Sequence, residues 1–377
     1  MTWRSWVPLL VLAVLTAVPQ PEPTTQSDSS VNFRGGTLVE AANAVYAWGN
    51  GVYRIELPSM TRNQIAAGSF GEGGCTYDID GDRILDVVLQ SGQGLGNLIW
   101  ISGRDGKSHT IDTGIDMHDC VVTTLLGRTG VLMIQRGIQV RFYSMPEKPG
   151  GEWGYTEIYS FYTPSYQTSL ILADVDGDGL RDIFCGNYWM KSPEKFELPW
   201  HIFAINTYSE TPKSAMVRLV LLDRDHLVAV QSHMADARLT IFEKPDDPRR
   251  LWIGNRLATN LHLVNPHGLV AWDDTIVVGE NNGENSRSIL LKVSRDGKVA
   301  GISRPSLPVI ALWKWRDSLL ELLPERVEML NLEDTRHRLE SSPLAPGQTD
   351  RAPHFLPAPP PNAVRSGGSP ASVRRRQ

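Results

Sequence analysis

The chain has 377 residues, with 25 prolines, 33 glycines and a formal charge of −5. That length suits two ordinary domains or one large all-β domain, and the aromatic and β-branched content can bury a sizeable core. The five arginines and one aspartate after Ser341, with Arg4 near the start, leave the body more acidic than the whole chain; this speaks against nucleic acid as partner and is compatible with cation binding.

In chain order, Arg4 precedes an apolar run from Val7 to Val18. The run is too short to cross a bilayer as a helix and has the form of a secretory h-region. Residues 1–18 are therefore expected to be a signal peptide, and 19–30, "PQPEPTTQSDSS", a linker. This predicts a secreted, periplasmic or cell-surface protein with no membrane span in its mature chain. From 31 to about 340 one unit recurs: an apolar strand, a turn and a second strand. The units begin at Val45, Val87, Val131, Ile183, Leu227, Ile276 and Leu319. Their spacing in the mid-forties matches one four-stranded blade of a propeller. The fold predicted is all-β: a β-propeller of seven blades, each with four antiparallel strands. Each hairpin supplies the two middle strands of its blade, and the preceding segment, such as Thr168 to Ala173, the inner one. A helical solenoid is excluded by short β-rich segments broken with Gly and Asn. Residues 341–377, rich in Pro, Ser, Gly and Ala, read as a disordered tail.

Cys75, Cys120 and Cys185 form neither a disulfide scaffold nor a zinc motif. Buried free thiols are the expected state of all three. If one pair forms, it is Cys75 with Cys120, which hold similar places before successive repeats.

Two segments carry a dense acidic pattern: "ADVDGDGLRDIFCG" (Ala173–Gly186) and "YDIDGDRILDVVLQ" (Tyr77–Gln90). Carboxylates fall at the first, third, fifth and ninth places, as Asp174, Asp176, Asp178 and Asp182, and as Asp78, Asp80, Asp82 and Asp86. Four carboxylates this close repel one another or take up protons unless a cation neutralises them. Calcium takes six to eight oxygens, and alternate side chains of a tight turn converge on one point. The carbonyls of Leu180 and Ile84, at the seventh place, are candidate additional ligands. Gly179 meets the need for a sixth-place glycine, whereas Arg83 does not. The twelfth places, Cys185 and Leu89, cannot chelate a hard cation, and strand-like sequence follows, so an EF-hand is excluded.

The sequence Asp-x-Asp-Gly-Asp-Gly-x-x-Asp before a β-run resembles the FG-GAP/VCBS repeat, found in the calcium-bearing propellers of integrin α chains and of secreted bacterial proteins. "DVDGDGLRD" matches throughout, and "DIDGDRILD" departs at Arg83. The resemblance implies structural calcium at two blade corners and touches two of the seven units directly. Elsewhere only remnants of the turn are expected, without a cation: Asp223 and Asp225, Asp273 and Asp274, and Asp317.

No nucleophile elbow, zinc-protease or phosphate-loop motif is present. His118-Asp119 and His267 are read as loop residues satisfied by backbone, with a channel-lining, ligand-polarising role as the alternative. Glu280 and Glu284, with Asn281, Asn282 and Asn285, read as a hairpin tip, or else a carbohydrate-holding loop. Most tryptophans are expected between blades. The sequence thus points to a secreted, calcium-stabilised module binding a glycan or an extracellular protein. The alternative is a polysaccharide lyase or hydrolase on the same scaffold, recognisable by carboxylate, His and Arg groups converging in a deep channel; a flat rim of exposed aromatics would mark the binder.

Overall fold

The computed structural model describes residues 31–331 except 152, 162–168, 207–215, 232–236, 259–262, 264, 274, 282–289 and 304–306. The expected signal peptide, linker and tail, and Asp274, Asn282, Glu284 and Asn285, lie outside the described residues.

Blade 1 consists of β1 (Phe33–Val39), β2 (Ala44–Gly49), β3 (Val52–Glu56) and β4 (Arg62–Ala66). Blade 2 holds β5 (Phe70–Tyr77), β6 (Asp86–Ser91), β7 (Gly96–Ile101) and β8 (Ser108–Ile115). Blade 3 holds β9 (Met117–Leu125), β10 (Arg128–Gln135), β11 (Gln139–Ser144) and β12 (Tyr155–Ser160). Blade 4 is built from β13 (Leu170–Ala173), β14 (Asp182–Cys185), β15 (Tyr188–Lys191) and β16 (His201–Ala204). Blade 5 comprises β17 (Met216–Leu221), β18 (His226–Gln231), β19 (Leu239–Glu243) and β20 (Ile253–Leu257). Blade 6 comprises β21 (Pro266–Trp272), β22 (Thr275–Glu280), β23 (Leu290–Ser294) and β24 (Val299–Ser303). In blade 7 the described strands are β25 (Ala311–Trp315), β26 (Ser318–Leu322) and β27 (Val327–Asn331). Every sheet is antiparallel and runs in sequence order from its first strand. The predicted hairpins are the middle strands, as expected.

The second strand of a blade is covered on both faces, which explains its near-continuous apolar sequence. In β6, Val87 and Leu89 pack toward blade 1 with Trp48 and Phe70, while Val88 packs toward blade 3 with Met117 and Val131. Side chains alternate faces along a strand, so one strand feeds two interfaces. Seven such clusters occur, one between each pair of neighbouring blades. The ring closes where Phe33, Val45 and Tyr53 of blade 1 meet Trp315, Leu320 and Leu322 of blade 7. The Phe33 amide also donates to the Pro324 carbonyl at 2.6 Å. Fourth strands face outward and read as polar; Ile253–Arg256 of β20 are all exposed.

Two tryptophan pairs pin blades to their successors. The indole N–H groups of Trp100 and Trp153 both donate to the Pro149 carbonyl, at 3.0 and 3.2 Å. Those of Trp189 and Trp252 both donate to the Pro248 carbonyl, at 3.1 Å each. Each outer Trp follows its proline by four residues, a Pro-x-x-x-Trp spacing that the sequence reading missed. Burying the ring is favourable only if its N–H finds an acceptor, and the proline carbonyl is that acceptor.

The free-thiol expectation is corrected for two cysteines. Cys75 in β5 and Cys120 in β9 form a disulfide, with Cα atoms 5.8 Å apart. The two inner strands run side by side at the channel, so equivalent places in successive repeats come within bonding reach. Cys185 is free and buried, and burial pushes its thiol pKa up.

Candidate functional site

Both acidic segments form the corner between the first and second strands of their blades, at blades 2 and 4. Each corner folds around its own carboxylates. At blade 4 the Asp174 carboxylate accepts the amides of Gly177 (2.7 Å) and Gly179 (3.0 Å), and Asp178 accepts that of Leu180 (2.8 Å). At blade 2, Asp78 accepts the Arg83 amide (3.0 Å), Asp80 that of Asp82 (3.1 Å) and Asp82 that of Ile84 (2.7 Å). Gly179 has φ +85°, and its counterpart Arg83 takes the same left-handed conformation at +69°.

The ninth-place aspartates are fully buried at the first position of β6 and β14. Asp86 accepts Ile79 N–H (2.8 Å) and Gly103 N–H (3.0 Å), one on each oxygen. Asp182 accepts Val175 N–H (3.1 Å) and Ser192 N–H (2.7 Å) in the same way. Each carboxylate ties the corner to the turn after the third strand. Burial raises both carboxyl pKa values, that of Asp182 to about 6, with the amide hydrogen bonds pulling the other way.

Of the predicted ligands, Asp78, Asp80 and Asp86 each bring one oxygen within 4.8 Å of the others, and so do Asp174, Asp176 and Asp182. The fifth-place aspartates are engaged elsewhere. Asp82 pairs with Arg104 at 2.5 Å, and Lys191 bridges Asp176 and Asp178. Leu180 and Ile84 are held by their amides, as above. An all-oxygen donor set fits a hard cation. The fit is best at blade 2, where Asp78 Oδ1 is buried with no hydrogen-bond partner. At blade 4 the Lys191 ammonium sits where a cation would compete. In blade 5 the corresponding turn is served by protein side chains: Arg295 and the His226 ring contact Asp223, at 3.1 and 2.7 Å, and Lys244 contacts Asp225 at 2.9 Å.

A second cluster lies in the central channel, in a cavity of about 200 Å³ to which all seven blades contribute. His118 and Asp119 lie within β9, and His267 within β21; the expectation that they are loop residues is thus corrected. They belong to inner strands, which line the channel. Arg218 of β17 reaches Glu72 of β5 at 2.5 Å and donates to the His267 carbonyl at 3.0 Å. His267 Nδ1 lies 3.8 Å from Glu72. Asp119 accepts the amides of Leu170 (2.9 Å) and Cys120 (2.9 Å). Deep in the channel yet partly open to its lumen, Asp119 has its pKa raised by desolvation to about 6, against the pull of these amides and of Arg218. Sequence reasoning missed Glu72 and Arg218, because neither stands in a motif. Glu280 is buried at the end of β22 rather than exposed on a hairpin tip. Eight tryptophans are buried: Trp48, Trp100, Trp153, Trp189, Trp200, Trp252, Trp272 and Trp315. None is among the exposed large apolar residues, whose aromatic members are Tyr77 and Tyr155.

This architecture defines a seven-bladed β-propeller. No family model and no curated protein matches the chain. Among solved structures, the WD40 β-propeller domain of Doa1 is similar over 81% of this chain and 93% of that one, at 10% identity and a TM-score of 0.52. The β-propeller domain of Cps50 (Swd1) from Myceliophteria thermophila is similar over 81% and 99%, at 11% identity and a TM-score of 0.55. At such identities the likeness is one of fold alone. Among the described residues no helix is long and apolar enough to cross a membrane.

Proposed function

We propose that this chain is an extracytoplasmic β-propeller that serves as a binding module for a glycan or a protein, with calcium held structurally at its acidic corners. The observation that carries the cation is the convergence of three carboxylate oxygens at each of two equivalent corners, in the first of which Asp78 also has a buried, unpartnered Oδ1. The Cys75–Cys120 disulfide supports an oxidising compartment, in keeping with the apolar run near the N-terminus. Melting the protein in EDTA and in millimolar calcium tests the cation: a higher melting temperature in calcium is expected, reduced in Asp78→Asn and lost when Asp174→Asn is added to it. An identical melt in both buffers overturns it. A glycan array, with pull-down of extracellular proteins as its second arm, tests the binding role.

A second reading, a polysaccharide lyase or hydrolase, is favoured by one observation: Glu72, His118, Asp119, Arg218 and His267 converge in the channel. Against it, the cavity is smaller than the roughly 300–1,000 Å³ usual for ligand pockets. Its charged groups also already bond blade to blade. Product release from an array of polysaccharides, abolished in Glu72→Gln, would establish the enzyme; intact substrates would dismiss it.

A further inference from the structure

A larger cleft, about 610 Å³, opens between blades 1 and 2 beside the Asp78 corner. Arg54 of β3, Arg83 of the corner and Arg104 of the β7–β8 turn all line it, with Asn63 and Gln64 of β4 and an apolar patch at Ile65. Its volume falls in the range of small-molecule sites. Arg104 is already paired with Asp82 through Nε, and Asp105, paired with Lys107, also lines the cleft. Arg83 and Arg54 are the guanidinium groups that invite an oxyanion, because their planar forks match carboxylate and sulfate geometry.

Three further observations bear on the cleft. Arg54 pairs with Glu56 through Nη1 at 2.8 Å, yet its Nε is buried without a hydrogen-bond partner. Among the described residues no carboxylate pairs with the Arg83 side chain, which is exposed at the cleft. Arg83 also holds a left-handed φ of +69° at the position where the sister corner has Gly179. An arginine costs more there than a glycine, and strained residues of this kind gather at ligand sites. The wall is fixed by the fold as well: buried Asp86 anchors Gly103, the residue before Arg104, and Gly106 packs so closely on Ile65 that a Cβ there would lie 2.3 Å from the Ile65 carbonyl oxygen.

We infer that the cleft between blades 1 and 2 binds an oxyanion-bearing sugar, with Arg83 and Arg54 facing the anionic group, Arg104 beside them in its pair with Asp82, and the Asn63 and Gln64 amides facing hydroxyls. The inference deepens the glycan reading and rests on it for the sugar ring alone; inorganic sulfate tests the oxyanion site by itself. It needs no cation at the neighbouring corner.

The test is calorimetric titration of the full chain with sodium glucuronate, sodium sulfate and glucose, in EDTA and again in calcium, at constant ionic strength. Binding of glucuronate or sulfate is expected, weakened about tenfold or more in Arg83→Gly. That variant removes the guanidinium while relieving the backbone, so its melting temperature should hold or rise as its affinity falls. A merely structural Arg83 would show no such opposition. Tighter glucuronate than sulfate assigns a carboxylated ligand; the reverse assigns a sulfated one. Sulfate binding without any gain from the sugar ring keeps the oxyanion site and removes the sugar. No binding of either anion, equal binding of glucose, or unchanged affinity in Arg83→Gly overturns the inference.

Discussion

Glu321 shows how a single buried residue couples this fold to pH. It lies in β26, 1% exposed, with Oε1 lacking a partner, directly across from Glu328 of β27. Burial, and secondarily the Glu328 charge, push its carboxyl up to about 7. The folded state therefore holds this proton more tightly than the unfolded chain does. Its contribution is fully favourable below the unfolded value near 4.5 and is lost as pH rises toward 7, by at most about 3 kcal/mol. Glu321→Gln should flatten that part of the profile, as read from urea unfolding at pH 5 and pH 8. A parallel loss in both proteins would mean that other groups dominate. Asp86 and Asp182 act at the same scale but as anchors, each satisfying two backbone amides. Asp182→Ala leaves the buried Val175 and Ser192 amides unpaired, a cost of about 2–4 kcal/mol measurable by chemical denaturation.

At the scale of strands, the disulfide links the inner edges of blades 2 and 3 across 45 residues of sequence. Constraining a loop of that size in the unfolded chain is worth about 2–4 kcal/mol. Cys120→Ala, or treatment with dithiothreitol, should lower the melting temperature accordingly, and Cys185→Ala should not reproduce the effect through redox. The corners are equally local devices. Several first-strand corners turn through a left-handed residue, Asn43, Arg83, Leu126, Asp273 or Arg316, and blade 4 uses glycine at Gly177 and Gly179. Asn and Asp tolerate that conformation better than Leu or Arg do. Asp273, at φ +49°, is one residue that suits this turn, with no acidic cluster around it among the described residues.

For the whole molecule, stability depends on closing the ring. Trp315 is buried in the cluster joining blade 7 to blade 1. Trp315→Ala should cost about 3–5 kcal/mol and expose the seam to proteolysis, which limited trypsin digestion would reveal. A cation bound at a corner would add about 2.7 kcal/mol at a hundred times its dissociation constant, visible as the calcium-dependent melt described above.

Seven strand pairs in the mid-forties, apolar on both faces, determined the propeller from sequence, because radial stacking is the arrangement that covers both faces of every blade. The acidic spacing likewise placed Asp78, Asp80 and Asp86, and their blade 4 counterparts, at one point, since the contacts within a corner are local. The tertiary structure decided what depends on strands far apart in the chain. It joined Cys75 to Cys120, put His118, Asp119 and His267 on channel-lining strands, and brought Arg218 of blade 5 to Glu72 of blade 2. It also set Arg54, from another blade, beside Arg83 and Arg104. A sequence pattern records spacing along one strand or turn; which blades face each other across a channel or cleft is fixed only when the ring closes.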